Sequence, residues 1–151
     1  MQQFYTPNID LKSESYNFNE VESKHVSKVL RKRVGDVLNL TNGNGKIIKT
    51  KLSSVSSKSC IVKLLEIKDI PAPKTAIHMI VAPTKNITRF EWFLEKATEL
   101  GVYKITPVLC DRSERKHIKH ERFEKIIHAA LKQSLRAYAP ILEPLTPLKE
   151  I

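Results

Sequence analysis

Pro71 and Pro73, inside the short segment Asp69 to Lys74, divide this chain into two stretches with different hydrophobic patterns. A proline has no backbone N–H to give a sheet ladder and it fixes φ, so no regular element runs easily through such a segment. A boundary near residue 72 follows, with one domain predicted over 1–72 and a second over 73–151. The 151 residues are 41% apolar, enough for each stretch to bury a small core.

Before the boundary the pattern is that of short strands around one helix. Val37 to Thr41, Lys46 to Ser54 and Ser59 to Ile67 are β-branched segments, and Asn42-Gly43-Asn44-Gly45 tolerates the positive φ of a hairpin turn. Asn19 with Glu22 three residues later marks a helix start, and Val26, Val29 and Leu30 recur at helical spacing. The spacing predicts a helix from about Glu20 to Arg33, closed by Gly35, in a small antiparallel barrel or sheet.

After the boundary, Ile77 to Ala82 is an almost unbroken apolar run, as for a strand buried on both faces of a parallel sheet. Thr88 and Glu91 form a capping box for a helix with the stripe Phe90, Phe93, Leu94, Ala97 and Leu100, ended by Gly101. Lys104 to Leu109 reads as a strand. A second helix, Glu121 to Tyr138, is predicted to bury Phe123, Ile126, Ile127, Ala130, Leu131 and Leu135, with Pro140 as its stop. Strand, helix and strand at this spacing make a right-handed parallel crossover, so the fold class is α/β plus a small all-β domain. Beyond Pro140 only Ile141, Leu142 and a proline-broken tail remain, which predicts a strand stub and a chain that is a fragment or needs a partner.

The net charge is +10, and it is shared: 12 basic against 7 acidic side chains over 1–72, and 14 against 9 over 73–151. A field of that sign favours a polyanion such as nucleic acid, a merely basic surface being the alternative. No segment approaches the roughly 20 apolar residues of a spanning helix, and no signal-peptide run opens the chain. The expectation is a cytoplasmic protein without a membrane partner. Cys60 and Cys110 lie far apart in apolar segments and are expected to be buried reduced thiols; His117 and His120 lack partners at ligand spacing, so no metal is expected.

Ligands of open α/β sheets gather beyond the carboxyl ends of the strands. Lys85 and Arg112, each just past a predicted strand, are therefore expected on one rim. Gln133 and Arg136, spaced i, i+3 on the second helix, share a face that can point at the same rim. Solvated surface cations are the competing reading. Lys28, Arg31, Lys32 and Arg33 suit the negative end of the first helix and equally suit phosphates. Trp92 shares a polar flank with Glu95, Lys96 and Glu99, at an interface or partly buried against the preceding domain. No glycine-rich phosphate loop, paired catalytic carboxylates or Ser/His/Asp set can be assembled.

His25, Val29-Leu30-Arg31 and Gly35-Asp36 resemble a segment of the RNA-binding domain of the RsmE family, the 16S ribosomal RNA uracil-N3 methyltransferases. Lys85, the run Glu95-Lys96-Ala97-Thr98-Glu99-Leu100-Gly101-Val102, Ile105, Pro107, Arg112-Ser113, and Gln133-Ser134 with Arg136 and Pro140 resemble that family's catalytic domain in order and spacing. The resemblance implies a PUA-like β-barrel followed by a truncated SPOUT-type (alpha/beta knot) methyltransferase domain. It implies RNA contacts from His25, Lys28, Arg31, Lys32, Arg33 and Lys85, and catalytic contributions from Arg112, Gln133 and Arg136. S-adenosylmethionine is the implied methyl donor, held by a knot expected beyond Ile151, so 1–151 should hold none of its ligands. The implied function is methylation of uridine N3 in 16S ribosomal RNA, with the RNA or the 30S subunit as partner and a homodimer as the intact enzyme. A non-catalytic RNA-binding module is the alternative, and this chain alone is expected to be a monomer or an ill-behaved oligomer. Gln2-Gln3-Phe4-Tyr5 stands where the family more usually has Arg-Phe-Phe, which removes one cation. The cations of both domains are expected to form one continuous cradle for an RNA strand.

Overall fold

The computed structural model describes residues 3–151 and divides into two compact units, Met1–Ile70 and Pro71–Ile151. Gln2 lies outside the described residues, so the Gln2–Tyr5 segment is described from Gln3 onward.

The first unit is a five-stranded sheet in the order β1-β3-β4-β5-β2, from Gln3–Tyr5 (β1), Ser15–Asn17 (β2), Val37–Thr41 (β3), Lys46–Val55 (β4) and Cys60–Asp69 (β5). β1 runs parallel to β3 and the other pairs are antiparallel. Alternation sends Leu38, Leu40, Ile48, Leu52 and Val62 inward against Phe4, Phe18 and Val26, and all eight are buried. Gly43 (φ 73) and Gly45 (φ 82) supply the left-handed positions of the β3–β4 turn. Helix α1 covers Glu20–Lys24, with the Asn19 side chain accepting the Glu22 N–H.

The predicted helix to Arg33 is shorter in the structure and ends differently. From His25 to Val29 the chain widens into a π-helical turn, and the Leu30 N–H bonds the His25 carbonyl at 2.9 Å. Arg31 then takes φ 52, and the Lys32 N–H closes onto the Val26 carbonyl at 3.0 Å. The reversal thus falls on Arg31, four residues before Gly35. It turns Val29 out to 66% exposure, so of the anticipated apolar stripe only Val26 is fully buried.

The second unit is a parallel sheet with two long helices: His78–Val81 (β6), Ile87–Leu100 (α2), Lys104–Leu109 (β7), His120–Gln133 (α3), Ile141–Leu142 (β8) and Thr146–Pro147 (β9). β7 pairs in parallel with β6, β8 and β9. Its Ile105, Thr106, Pro107 and Val108 are all buried. β6 corrects the expectation of a strand covered on both faces: it lies at the sheet edge, with Ile77 and Ile80 52% and 43% exposed. An apolar run of this length suits an edge as well as a centre, and only pairing distinguishes them.

Four further expectations change. Asn86, not Thr88, caps α2, its Oδ1 accepting the Thr88 N–H at 3.1 Å, while Glu91 turns outward to Arg122. Leu100 falls off the buried stripe at 78% exposure, just before Gly101 (φ 85) ends the helix. α3 stops at Gln133, five residues before Tyr138, because Leu135 takes φ 56 and is 43% exposed; Pro140 plays no part in the stop. The predicted stub is a strand in two pieces. β8 pairs with Lys104–Ile105 and β9 with Val108–Leu109, so the chain advances along the whole of β7 with one extra residue between them. Pro107 and Pro144 lack the N–H groups that an unbroken ladder needs there.

The core of this unit joins Phe90, Leu94 and Ala97 of α2, Phe123 and Ile127 of α3, and Ile105 of β7. The Phe90 and Phe123 rings lie 5.2 Å apart near the starts of the two helices.

Candidate nucleic-acid interface

The carboxyl end of the parallel sheet is strongly cationic. β7 leads into a tight turn in which the Cys110 N–H bonds Ser113 Oγ at 2.9 Å and the Ser113 N–H bonds the Cys110 carbonyl at 3.0 Å. That turn holds Arg112 out in solvent, with no ion pair among the described residues. Cys110 is half-buried, unlike the fully buried Cys60. Arg115 reaches across to the loop after β6, donating from Nε to the Thr84 carbonyl at 3.2 Å and from a terminal nitrogen to the Lys85 carbonyl at 2.6 Å. Lys85 is exposed and lies 3.4 Å from Glu114. Together Lys85, Glu114, Arg115, Lys116 and His117 line an open cleft of about 610 Å³. A second cleft of about 360 Å³ has the apolar floor Ile87, Ile118 and Phe123, and Lys119 and Arg122 on its rim. Arg122 is bound there by Glu91 at 2.6 and 2.9 Å, which ties the start of α3 to the start of α2 and raises the pKa of the guanidinium.

Arg115, Lys116, Lys119 and Arg122 were not singled out by sequence reasoning. The signal available was density: Asp111 to Arg122 holds five basic residues among twelve. No group of three or more His, Cys, Asp or Glu side chains among the described residues is arranged to hold a metal.

Gln133 and Arg136 lie elsewhere. α2 and α3 start together at the carboxyl rim and run side by side, so the end of α3 sits one helix length away, about 20 Å for 14 residues. There Arg136 docks on the carboxyl end of α2. Its Nε and a terminal nitrogen donate to the Glu99 carbonyl at 2.9 and 2.5 Å, and its guanidinium rests on Gly101, where an added Cβ would meet Nη1 at 2.7 Å. The expectation that Gln133 and Arg136 share a helix face aimed at the Lys85–Arg112 rim is therefore corrected: Gln133 is the last helical residue and Arg136 follows the Leu135 reversal. A cation at a helix carboxyl end meets the negative pole of the dipole and the unpaired carbonyls. Nearby, Lys96 bonds Glu95 at 2.8 Å and Glu99 at 3.0 Å, which raises its pKa, while Thr98 is buried with its hydroxyl on the Leu94 carbonyl at 2.7 Å. Trp92 is 63% exposed.

In the first unit Lys28 is exposed near the end of the π-helical segment, and on the turn that follows it Arg31 and Arg33 are exposed and Lys32 half-buried. The Arg33 N–H bonds Asp36 Oδ2 at 2.9 Å, which fixes the turn. His25 is half-buried edge-on against Phe4, ring centroids 6.2 Å apart, so part of its surface packs the core.

A model of the RNA methyltransferase domain matches residues 71–151, more than half of the chain, and a model of the RNA methyltransferase PUA domain matches 18–65. The chain belongs to the RsmE-type RNA methyltransferase family. Curated relatives include the ribosomal RNA small subunit methyltransferase E of Buchnera aphidicola, 30% identical over 87% of this chain and 54% of its own length. That of Rickettsia conorii is 28% identical over 83% and 51%. This chain thus spans about half the length of the curated relatives it matches. Among solved structures, a probable rRNA-methyltransferase from Porphyromonas gingivalis superposes with a TM-score of 0.90 at 35% identity, covering 99% of this chain and 62% of that one. The ribosomal RNA small subunit methyltransferase E of Neisseria gonorrhoeae, solved bound to S-adenosyl methionine, gives 0.88 at 25% identity over 99% and 63%. A PUA-like module followed by a SPOUT methyltransferase-like α/β fold is accordingly the fold class of this family member. No helix among the described residues is long and apolar enough to cross a membrane.

Proposed function

We propose that this chain serves S-adenosylmethionine-dependent methylation of uridine N3 in 16S ribosomal RNA, in the cytoplasm, as the part that holds the RNA. The cationic carboxyl rim is the observation that carries this reading, since it stands where α/β sheets bind their ligands. Methylating N3 removes the ring proton and builds negative charge on O2 and O4, so fixed cations beside the base lower the barrier. N3 lies on the pairing edge, so the target uridine must be unpaired. Lys85 and Arg112 are assigned to that uridine and its phosphates, and Lys28, Arg31, Lys32 and Arg33, beside His25, to phosphates of the same RNA. Within one copy Gln133 and Arg136 are a helix length from this rim. A role for them at the same uridine therefore needs a second copy, which fits a homodimeric enzyme.

Residues 1–151 do not fit the methyl donor. The four glycines are Gly35, Gly43, Gly45 and Gly101, none on the carboxyl rim, so no side-chain-free backbone cradles a nucleoside there. The cleft on that rim sets Lys85, Arg115 and Lys116 against the single carboxylate of Glu114, a net positive lining that disfavours a cationic sulfonium. No donor site is therefore assigned within residues 1–151, and no catalytic step is derived through the donor. The same misfit favours the second reading, a non-catalytic RNA-binding module.

Carbodiimide probing tests the first reading, because the reagent modifies N3 of unpaired uridines. With the chain bound to a 16S RNA transcript, protection of a particular uridine is expected and should weaken for Lys85→Ala with Arg112→Ala. Uniform reactivity with and without protein would overturn the reading. Equilibrium dialysis against labelled S-adenosylmethionine should show no saturable uptake, and saturable uptake would overturn the misfit with the donor.

A further inference from the structure

The outer face of the first unit's sheet carries a charge arrangement that folding alone does not explain. Register places Lys51 of β4 directly opposite Lys63 of β5, with Val37 of β3 and Ser15 of β2 completing the row across four strands. Lys51 and Lys63 are both exposed, and their inward-facing neighbours Thr50, Leu52 and Val62 are buried. Lys49 lies two residues along the same face, opposite Glu66. Among the described residues none of Lys49, Lys51 and Lys63 has an ion-pair partner, Glu66 and Glu14 included. Like charges directly opposite on adjacent strands repel and disfavour the folded state.

The register cannot slip to relieve this. A shift between Lys49 and Thr50 and another between Leu52 and Ser54 bracket the pair, and irregularities at such positions pin a ladder. A slip would also turn Leu52 and Val62 out of the core. The outward positions of these strands, which include Val37, Asn39, Lys49, Lys51, Ile61 and Lys63, carry no aromatic ring on which a base could stack. A surface of this kind suits phosphates.

We propose that Lys51 and Lys63 together form a phosphate-contact site for the backbone of the RNA on the open sheet face, where Lys51 Cε comes within 4.0 Å of the Cβ position of Gly35 and so borders the turn that carries Arg31 and Arg33. This rests on the RNA-binding reading above. The two ammonium groups bind without reading sequence, and a bound phosphate screens the repulsion that the fold holds in place. The site extends the cationic surface of that turn across the sheet face and so orients the strand.

The test uses the full chain and a fluorescent 16S RNA transcript, with affinity measured across about 50 to 200 mM salt. Lys51→Gln with Lys63→Gln should weaken binding and flatten the plot of log affinity against log salt by about 1.4 to 1.8, the value for two lost phosphate contacts. Its thermal midpoint should stay level or rise, because repulsion is removed. Lys58→Gln with Lys74→Gln removes the same charge from exposed positions elsewhere and should change the slope much less. Equal slope changes in the two doubles would overturn the proposal, as would a lowered melting midpoint for the Lys51/Lys63 double. If the wild-type chain binds no RNA at any salt, the RNA-binding reading itself fails. If it binds, and Arg31→Gln with Lys32→Gln weakens it while the Lys51/Lys63 double does not, only the present inference fails.

Discussion

Replacing Gly101 with alanine should cost this protein more than an ordinary glycine at a helix end, and the excess should vanish when Arg136 is removed as well. Two effects add. At φ 85 an L-residue sits in the left-handed region, a strain of about 1–2 kcal/mol. The new Cβ would also stand 2.7 Å from Arg136 Nη1, so the guanidinium must leave the Glu99 carbonyl it now donates to at 2.9 and 2.5 Å. Hydrogen bonds from a charged donor contribute about 1.5–3 kcal/mol when shielded, and for this part-exposed arginine about 1 kcal/mol is the proper figure. Gly101→Ala should therefore cost about 2–3 kcal/mol in the wild type and about 1–2 kcal/mol in an Arg136→Ala background, a coupling of about 1 kcal/mol. Urea unfolding followed by circular dichroism at 222 nm reads this well, because α2 and α3, at 14 residues each, dominate the helical signal. Equal costs in the two backgrounds would refute the lock, since the guanidinium would then yield without loss.

Arg31→Gly should raise stability by up to about 1 kcal/mol, because Arg31 holds φ 52 at a position glycine occupies without strain, and should weaken RNA binding; a urea midpoint and an RNA titration measure the two opposite signs. Phe123→Ala should cost about 3–5 kcal/mol, since the ring is 1% exposed against Phe90 in the core; a loss below about 1 kcal/mol would contradict that packing. Burial, aided by Lys132 and opposed by Glu124, holds the His128 imidazole below its usual 6.5. A depressed folded-state value means the unfolded chain takes up the proton first, so this contribution is complete above about pH 6.5 and is lost as pH falls from there. Urea midpoints between about pH 7.5 and 5.5 should decline less steeply in His128→Gln than in the wild type.

The strands β3, β4, β5 and β7 were legible because alternation or a β-branched run extends over five residues or more in each. β1 and β2, three residues each, are too short to show a period and exist only through their pairing with β3 and β5. Both helix ends that the sequence misplaced fall on non-glycine residues with positive φ, Arg31 and Leu135. No local preference announces such a residue, and propensity points the other way. The same blindness explains Arg136: counted as helical it shares a face with Gln133, whereas past the Leu135 reversal it turns back onto α2. Lys85 and Arg112 were legible because rim positions follow from strand ends alone. Arg115 was not, since its bonds to the Thr84 and Lys85 carbonyls join segments 30 residues apart.

Two clamps fix the helix pair of the second unit, and the far one is made by residues that carry the family resemblance. Glu99, Gly101 and Arg136 fasten the far ends of α2 and α3, while Glu91 and Arg122 fasten their near ends. Two parallel helices clamped at both ends and packed through Phe90 and Phe123 have little freedom to slide or splay. The loops that leave β6 and β7 therefore start from a fixed frame, and Arg115 stitches one loop to the other. Cations presented on such a frame need no rearrangement when an anion arrives, and preorganised charge is what stabilises a developing oxyanion more strongly than water does. Within one copy Arg136 can thus act on the rim only through this frame, from about 20 Å away. Loosening it by Arg136→Ala should lower affinity for RNA through the positions of Lys85 and Arg112, leaving the salt slope unchanged because no phosphate contact is deleted.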